Sequence, residues 1–260
     1  MPKINEAERK IQNHVINFFK DPSGLAYRYY GNLSEEINTN IMEDKLKAWL
    51  VKRGVSQTLA EKAVFELVKA VGNLQQGLYK ANQEVYSLLK YGAKVHEEPG
   101  EPDKTIYFID WEHPQANEFG VAEEVTIKTA AKRRPDIVVY INGIAIAIIE
   151  LKKSTVSVSS GIRQNLSNQS EHFNKPFYTT IQFLMAANNS EGLRYGTIET
   201  KEKYYMEWKN DQINTDAQPL DEASLDILEK SKQLPEKLDW QLYSMFQKIR
   251  FLDLIHNFIV

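Results

Sequence analysis

One apolar stretch bracketed by charge constrains the fold of this chain more than any other feature. It runs Arg134-Pro135-Asp136-Ile137-Val138-Val139-Tyr140-Ile141-Asn142-Gly143-Ile144-Ala145-Ile146-Ala147-Ile148-Ile149-Glu150-Leu151-Lys152-Lys153. Apolar runs this short read as strands, and Asn142-Gly143 between them reads as a hairpin turn. Asp136, Glu150 and Lys152 therefore stand on adjacent antiparallel strands of a buried sheet. Unpaired buried charge is expensive. A sheet that buries Ile144 to Ile149 has no structural use for Glu-x-Lys continuing the same strand. A divalent metal would offset that cost, because hard cations take carboxylate and carbonyl oxygens.

The turn decides whether such a site can form. Residues two apart on a strand share a face, so Glu150 and Lys152 point the same way. A plain two-residue turn pairs Ile141 with Ile144 and sends Asp136 to the face opposite Glu150. A three-residue loop, Ile141-Asn142-Gly143, pairs Tyr140 with Ile144 and returns Asp136 to the face of Glu150. That loop needs a left-handed last residue, which Gly143 supplies. A two-residue turn plus a bulge near Pro135 gives the same result. The metal-site reading requires one of these two irregularities.

Pro135-Asp136, thirteen intervening residues and Glu150-Leu151-Lys152 resemble the P-D…E-x-K nuclease motif. Further stretches extend the likeness. They are Ala81-Asn82-Gln83-Glu84-Val85-Tyr86 with Leu88-Leu89 and Gly92, then Arg134 to Val138, Asn142-Gly143, Gln164, Ala186-Ala187-Asn188-Asn189 and Arg194-Tyr195-Gly196-Thr197. Lys248-Ile249-Arg250-Phe251-Leu252-Asp253 with Asn257-Phe258 closes the series. Together, in order, they resemble the N-terminal endonuclease domain of the R (HsdR) subunit of type I restriction enzymes, over essentially the whole chain. The acid-acid-lysine motif alone is only moderately specific; its co-occurrence with the other segments is strong. One departure stands out. Where the family often carries Gln-x-x-x-Tyr after the lysine, this chain has Gln164 but Asn168.

The resemblance implies an α/β fold: a central mixed β-sheet flanked by helices (a restriction-endonuclease-like core) with helical N- and C-terminal extensions. Residues 1–92 are expected as a helical extension packed on the core and 93–215 as the nuclease core. Residues 216–260 would be a C-terminal helical segment leading toward a helicase motor. Asp136 and Glu150 would hold Mg²⁺, with Mn²⁺ as a substitute, and the Leu151 carbonyl as a third ligand. Glu84, from a helix before the sheet, is a further candidate ligand; a helix-surface acid is an equally good reading. Lys152 and Gln164 complete the catalytic set. Arg134, Lys153, Arg163 and Arg194, with Lys132-Arg133, are candidates for DNA contact, against ordinary solvated bases.

The implied partners are double-stranded DNA, the methyltransferase (M) and specificity (S) subunits of a restriction complex, and helicase motor domains in cis. ATP would serve only those motors, because no G-x-x-x-x-G-K-[ST] loop occurs here. The ending Phe258-Ile259-Val260 after an amphipathic helix reads as a cut from a longer protein. Two alternatives stay open: a different P-D…E-x-K repair nuclease, or a nuclease-like scaffold without activity.

Bulk properties agree with a cytoplasmic module. The 260 residues contain no cysteine, so neither a disulfide framework nor a thiolate metal site is available. No apolar signal core opens the chain, and Ile144 to Ile149 is far too short to cross a bilayer. The formal charge of −3 leaves DNA binding to local patches. The five histidines, His14, His96, His113, His172 and His256, show no ligand spacing. Strands are expected at Ile106–Ile109, Val125–Ile127 and Phe177–Met185, a strand pair over 198–210, and helices over 60–76 and 159–173. A helical pattern returns from Ser224, with Trp240, Tyr243, Phe246, Ile249 and Phe258 as its apolar positions. Glu123-Glu124 read as solvated, and Asn188-Asn189 as turn residues.

Overall fold

The computed structural model describes residues 6–127, 134–170, 174–209 and 222–259. Lys132, Arg133, His172 and Val260 lie outside them, as do the end of the expected 159–173 helix and the 215/216 boundary.

The centre is a seven-stranded mixed sheet in the order β1-β4-β5-β6-β7-β8-β9. The strands are β1 (Arg28–Asn32), β4 (Phe119–Glu123), β5 (Ile137–Ile141), β6 (Ile144–Leu151), β7 (Phe183–Asn188), β8 (Gly192–Gly196) and β9 (Met206–Glu207). A separate ribbon pairs β2 (Ala93–Val95) with β3 (Lys104–Ile106). The strand expected at Ile106–Ile109 is displaced to Lys104–Ile106, sharing only Ile106, and stands outside the main sheet. The Val125–Ile127 strand is replaced by β4, which ends two residues earlier. Phe177–Met185 divides into the short helix α6 (Lys175–Tyr178) and the start of β7. β1 draws the N-terminal stretch into the sheet, parallel to β4.

Helices cover both faces. α1 (Glu6–Lys20) buries Ile11, Val15, Ile16 and Phe19 at helical spacing. These join Val139, Ile141, Ala147, Ile149, Phe183 and Met185 in the main core. The helices α2 (Glu43–Lys52), α3 (Gln57–Gly72) and α4 (Leu78–Tyr91) extend that core. α3 opens on Ser56, whose hydroxyl accepts from the Leu59 N–H at 3.3 Å. α7 (Glu222–Lys232), α8 (Lys237–Phe246), α9 (Lys248–Asp253) and a π-helical turn, Leu254–Phe258, follow. Phe246, Phe251 and Ile255 are buried there, whereas Ile249 and Phe258, expected inward, are exposed. On the other face Val138, Tyr140, Ala145, Ile148 and Leu184 pack with Phe177 and Tyr178. α5 (Val158–Ser170) adds Val158 and Ile162 against Ala186.

The β5–β6 hairpin sets the geometry. Ile141 pairs with Ile144, so the loop is the two-residue Asn142-Gly143 and not the three-residue alternative. Both turn residues are left-handed, with φ +52° and +85°, as a type I′ turn requires. Asn142 is fixed by bonds to the Phe108 carbonyl (2.9 Å) and Asn117 Oδ1 (2.8 Å), and it accepts from the Glu118 N–H (2.7 Å). The parity is restored by a bulge inside β6, not near Pro135. Tyr140 pairs with Ala145 but Val139 with Ala147, leaving Ile146 as the extra residue. Ile146 and Ala147, consecutive in sequence, both face the main core. The Ile146 carbonyl accepts from the Gln182 N–H at 2.7 Å. Beyond the bulge Ile137 pairs with Ile149, which puts Asp136 opposite Glu150.

Gly143 carries the turn. A β-carbon there would stand 3.1 Å from both the Met42 carbonyl oxygen and Lys45 Cβ. Gly143→Ala should cost about 1–2 kcal/mol from the left-handed backbone alone. Thermal unfolding should report this as a midpoint lowered by about 2–8 °C; an unchanged midpoint would contradict the strained turn.

Candidate active site

Asp136 stands just before β5 and Glu150 near the end of β6, one strand apart and in register. Glu150 is fully buried. Asp136 is half-buried and is held by the Leu151 N–H, which donates to Oδ2 at 2.7 Å. Leu151 thus meets Asp136 through its amide. Lys152 keeps the strand direction, its N–H donating to the Ala187 carbonyl at 2.9 Å. Its ammonium donates to Gln164 Oε1 at 2.8 Å, and Gln164 Nε2 donates to Glu150 Oε2 at 2.6 Å. Gln164, from α5, therefore bridges the lysine to the glutamate. Glu150 Oε1 is buried without a hydrogen-bond partner.

Electrostatics mark the pair. Burial pushes the Asp136 carboxyl up to about 6, against the pull of the Leu151 amide and Lys152. Burial, and then the Asp136 charge, raises Glu150 well above the ordinary carboxylate range, with Lys152 opposing. Two carboxyls that resist ionising together, one with an orphaned oxygen, form a site that a divalent cation would satisfy. Among the described residues no group of three or more His, Cys, Asp or Glu side chains gathers to hold a metal. A cation here would therefore rest on two carboxylates, backbone oxygen and water, as suits Mg²⁺.

The remaining candidates fall elsewhere. Glu84 is exposed on α4 and accepts from Asn73 Nδ2 at 3.0 Å; it is not brought to the pair. Arg134 is half-buried, its Nε 3.5 Å from Glu124 Oε2. Lys153 is half-buried in the turn after β6. Arg163, exposed on α5, pairs with Glu202 at 3.0 Å. Arg194 lies in the same register row as Glu150, through Ala186 of β7. That is two strand spacings, or about 10 Å, away. Glu207 binds it at 2.5 Å, and Lys237 also meets Glu207 at 2.6 Å. Asn168 is buried one turn beyond Gln164, its carbonyl accepting from Asn174 Nδ2 at 3.1 Å. Asn188 is buried and holds the β7–β8 turn through the Glu191 N–H (2.6 Å).

Glu123 and Glu124 are not solvated: both are buried. Glu124 has φ +53°, and its N–H donates to the Asp136 carbonyl at 3.0 Å. Gln12, buried on α1, donates to Glu124 Oε1 (3.1 Å) and to that same carbonyl (3.2 Å). Glu123 accepts from the Tyr29 hydroxyl at 2.7 Å. Gln12 is 112 residues from Glu124, so no local pattern could have revealed this support.

Residues 5–203 match the family model described as type I restriction enzyme R protein N terminus. The chain belongs to this family. It is 25% identical over 99% of its length to a Methanocaldococcus jannaschii protein named as a type I restriction enzyme MjaIXP endonuclease subunit. Over 72% of its length it is 28% identical to the type I restriction enzyme HindI endonuclease subunit of Haemophilus influenzae. The chain covers 26% and 18% of these two relatives, about a quarter of their length at most. The family and these names support a nuclease role within a restriction system. No helix among the described residues is long and apolar enough to cross a membrane.

The raised carboxyls predict a pH dependence. Metal binding needs ionised carboxylates, so Mn²⁺ affinity should fall as pH drops through about 6, the value for Asp136. Without added metal the sign for stability is opposite. The folded chain holds the Asp136 proton more tightly than the unfolded chain, whose carboxyl titrates near 3.8. Stability is therefore gained as pH falls from above 6 toward 4, and is lost again as pH rises through 6. Urea unfolding of wild type against Asp136→Asn from pH 4 to 7 checks this; a constant difference across that range would contradict it.

Proposed function

We propose that the chain is the metal-dependent DNA endonuclease domain of a type I restriction enzyme, cutting double-stranded DNA without sequence preference after motor-driven translocation. The observation that carries the reading is the desolvated Asp136–Glu150 pair, with its unpartnered oxygen and the Lys152–Gln164 bridge beside it. Asp136 and Glu150 would hold Mg²⁺ (or Mn²⁺), with the Leu151 carbonyl as a third protein ligand. The bound ion supplies Lewis acidity and a water of lowered pKa for attack on the scissile phosphate. Lys152 stabilises charge developing on the phosphate, or orients the attacking water. Gln164 holds the lysine and Glu150 in one arrangement. The site works in the cytoplasm with M and S subunits and with ATP-driven motor domains in cis, all outside this chain.

Removing any member should stop the chemistry without touching the motor. In the full-length R subunit assembled with its partners, Asp136→Ala, Glu150→Ala and Lys152→Ala should each lower Mg²⁺-dependent cleavage about 10²-fold or more. ATP-driven translocation should persist. Wild-type cleavage in any one of them would remove that residue from the site.

DNA affinity of the chain alone should be weak and indifferent to sequence. Its formal charge is −3, and Arg163 and Arg194 are compensated by Glu202 and Glu207. Two or three phosphate contacts would give a log–log salt slope of about −2 to −3. Titrating labelled duplexes of several sequences at two salt concentrations measures this; tight binding to one duplex over the others would contradict it.

A further inference from the structure

Gly161 occupies the interior of α5, where glycine weakens a helix relative to alanine. Its surroundings explain why nothing larger stands there. A β-carbon at this position would lie 2.9 Å from Ala186 Cβ, 3.5 Å from Glu150 Cβ and 3.6 Å from the Glu150 carbonyl oxygen. The Ala186 methyl cannot swing aside as a long side chain would. It is fixed to β7, which is paired in register with Glu150 of β6 and Arg194 of β8. Carbon atoms in ordinary contact are about 3.5–4.0 Å apart, so a residue with a β-carbon would lift α5 by about half an ångström to one ångström.

That lift would act on the site. Gly161 and Gln164 are three residues apart and so lie on the same side of the helix. Gln164 makes its two bonds, 2.6 Å to Glu150 and 2.8 Å to Lys152, from this side. Both are short enough that a shift of the helix stretches or breaks them. With the bridge made, Gln164 occupies Glu150 Oε2 and leaves Oε1 as the free oxygen. With the bridge broken, the Glu150 carboxylate can rotate and the Lys152 ammonium loses its acceptor.

We propose that Gly161 is a positioning residue: its lack of a side chain lets α5 approach β6 and β7 closely enough for Gln164 to tie Glu150 to Lys152. The role in metal binding rests on the nuclease reading above; the packing itself does not.

The decisive experiment is a compensating pair, Gly161→Ala with Ala186→Gly. Mn²⁺ binding is measured by calorimetry on wild type, both single variants, the double variant and Asp136→Ala. Crystal structures report the Gln164–Glu150 distance. Gly161→Ala should lengthen that contact and weaken Mn²⁺ binding about tenfold or more, as loss of groups that orient metal ligands does. The double variant, in which the offending methyl is gone, should regain the contact and bind within about threefold of wild type, a margin set against that tenfold loss. Thermal midpoints cannot mimic this pattern, because alanine strengthens the helix while the clash opposes it. A folded Gly161→Ala with the contact intact and wild-type affinity would overturn the inference. So would a folded double variant that still binds tenfold weaker, and this arm stands alone if Gly161→Ala does not fold. Wild type that binds no Mn²⁺ dependent on Asp136 would instead sink the nuclease reading and the metal role built on it. The Gln164–Glu150 distance would still decide the packing claim.

Discussion

The bulge at Ile146 is the constraint on which the site depends. Side chains alternate along a strand, so an even register cannot be approximated: Asp136 either faces Glu150 or faces away. The turn closes with two residues because Asn142 and Gly143 can both be left-handed, and the Asn142 amide is anchored from outside the hairpin. That turn alone would oppose Asp136 to Ile149. One extra residue in β6 corrects the parity, and the neighbouring strand region accepts it because Gln182 satisfies the Ile146 carbonyl. The irregularity thus belongs to the sheet as a whole and not to the turn.

Buried acid is the second theme. Asp136, Glu150, Glu123 and Glu124 gather at one end of β4, β5 and β6, a cluster that would be costly if every charge stood alone. The chain distributes the load among donors from distant elements. Gln12 comes from α1, Tyr29 from β1, Gln164 from α5, and Arg134 from the approach to β5. Buried oxygens without a hydrogen-bond partner remain on both Glu150 and Glu123, and the Glu123 oxygen lies 3.5 Å from Arg9 Nη1. Glu150 differs in facing a second raised carboxyl, that of Asp136.

The basic residues follow a different logic. Arg163 pairs with Glu202 on the surface, where such pairs add little stability, and Arg194 pairs with Glu207 in a half-buried position. Compensated in this way, neither guanidinium stands as a free positive charge.

The sequence determined what is local. Asn142-Gly143 between apolar runs specified a hairpin, Pro135-Asp136 with Glu150-Leu151-Lys152 specified an acid-acid-lysine constellation, and Ile162 with Leu166 at helical spacing specified a helix that follows. These are short-range patterns, and side-chain alternation carries them directly. The choice between a longer loop and a bulge was not local, since it was settled by pairing across β5, β6 and β7. Glu123 and Glu124 looked solvated because nothing near them in sequence announces Gln12 or Tyr29. Glu84 looked available because a helix pattern does not say which way the helix will face once α3 packs against it. Whether an acid is buried, paired or free depends on residues a hundred positions away, and only packing of the whole chain brings those together.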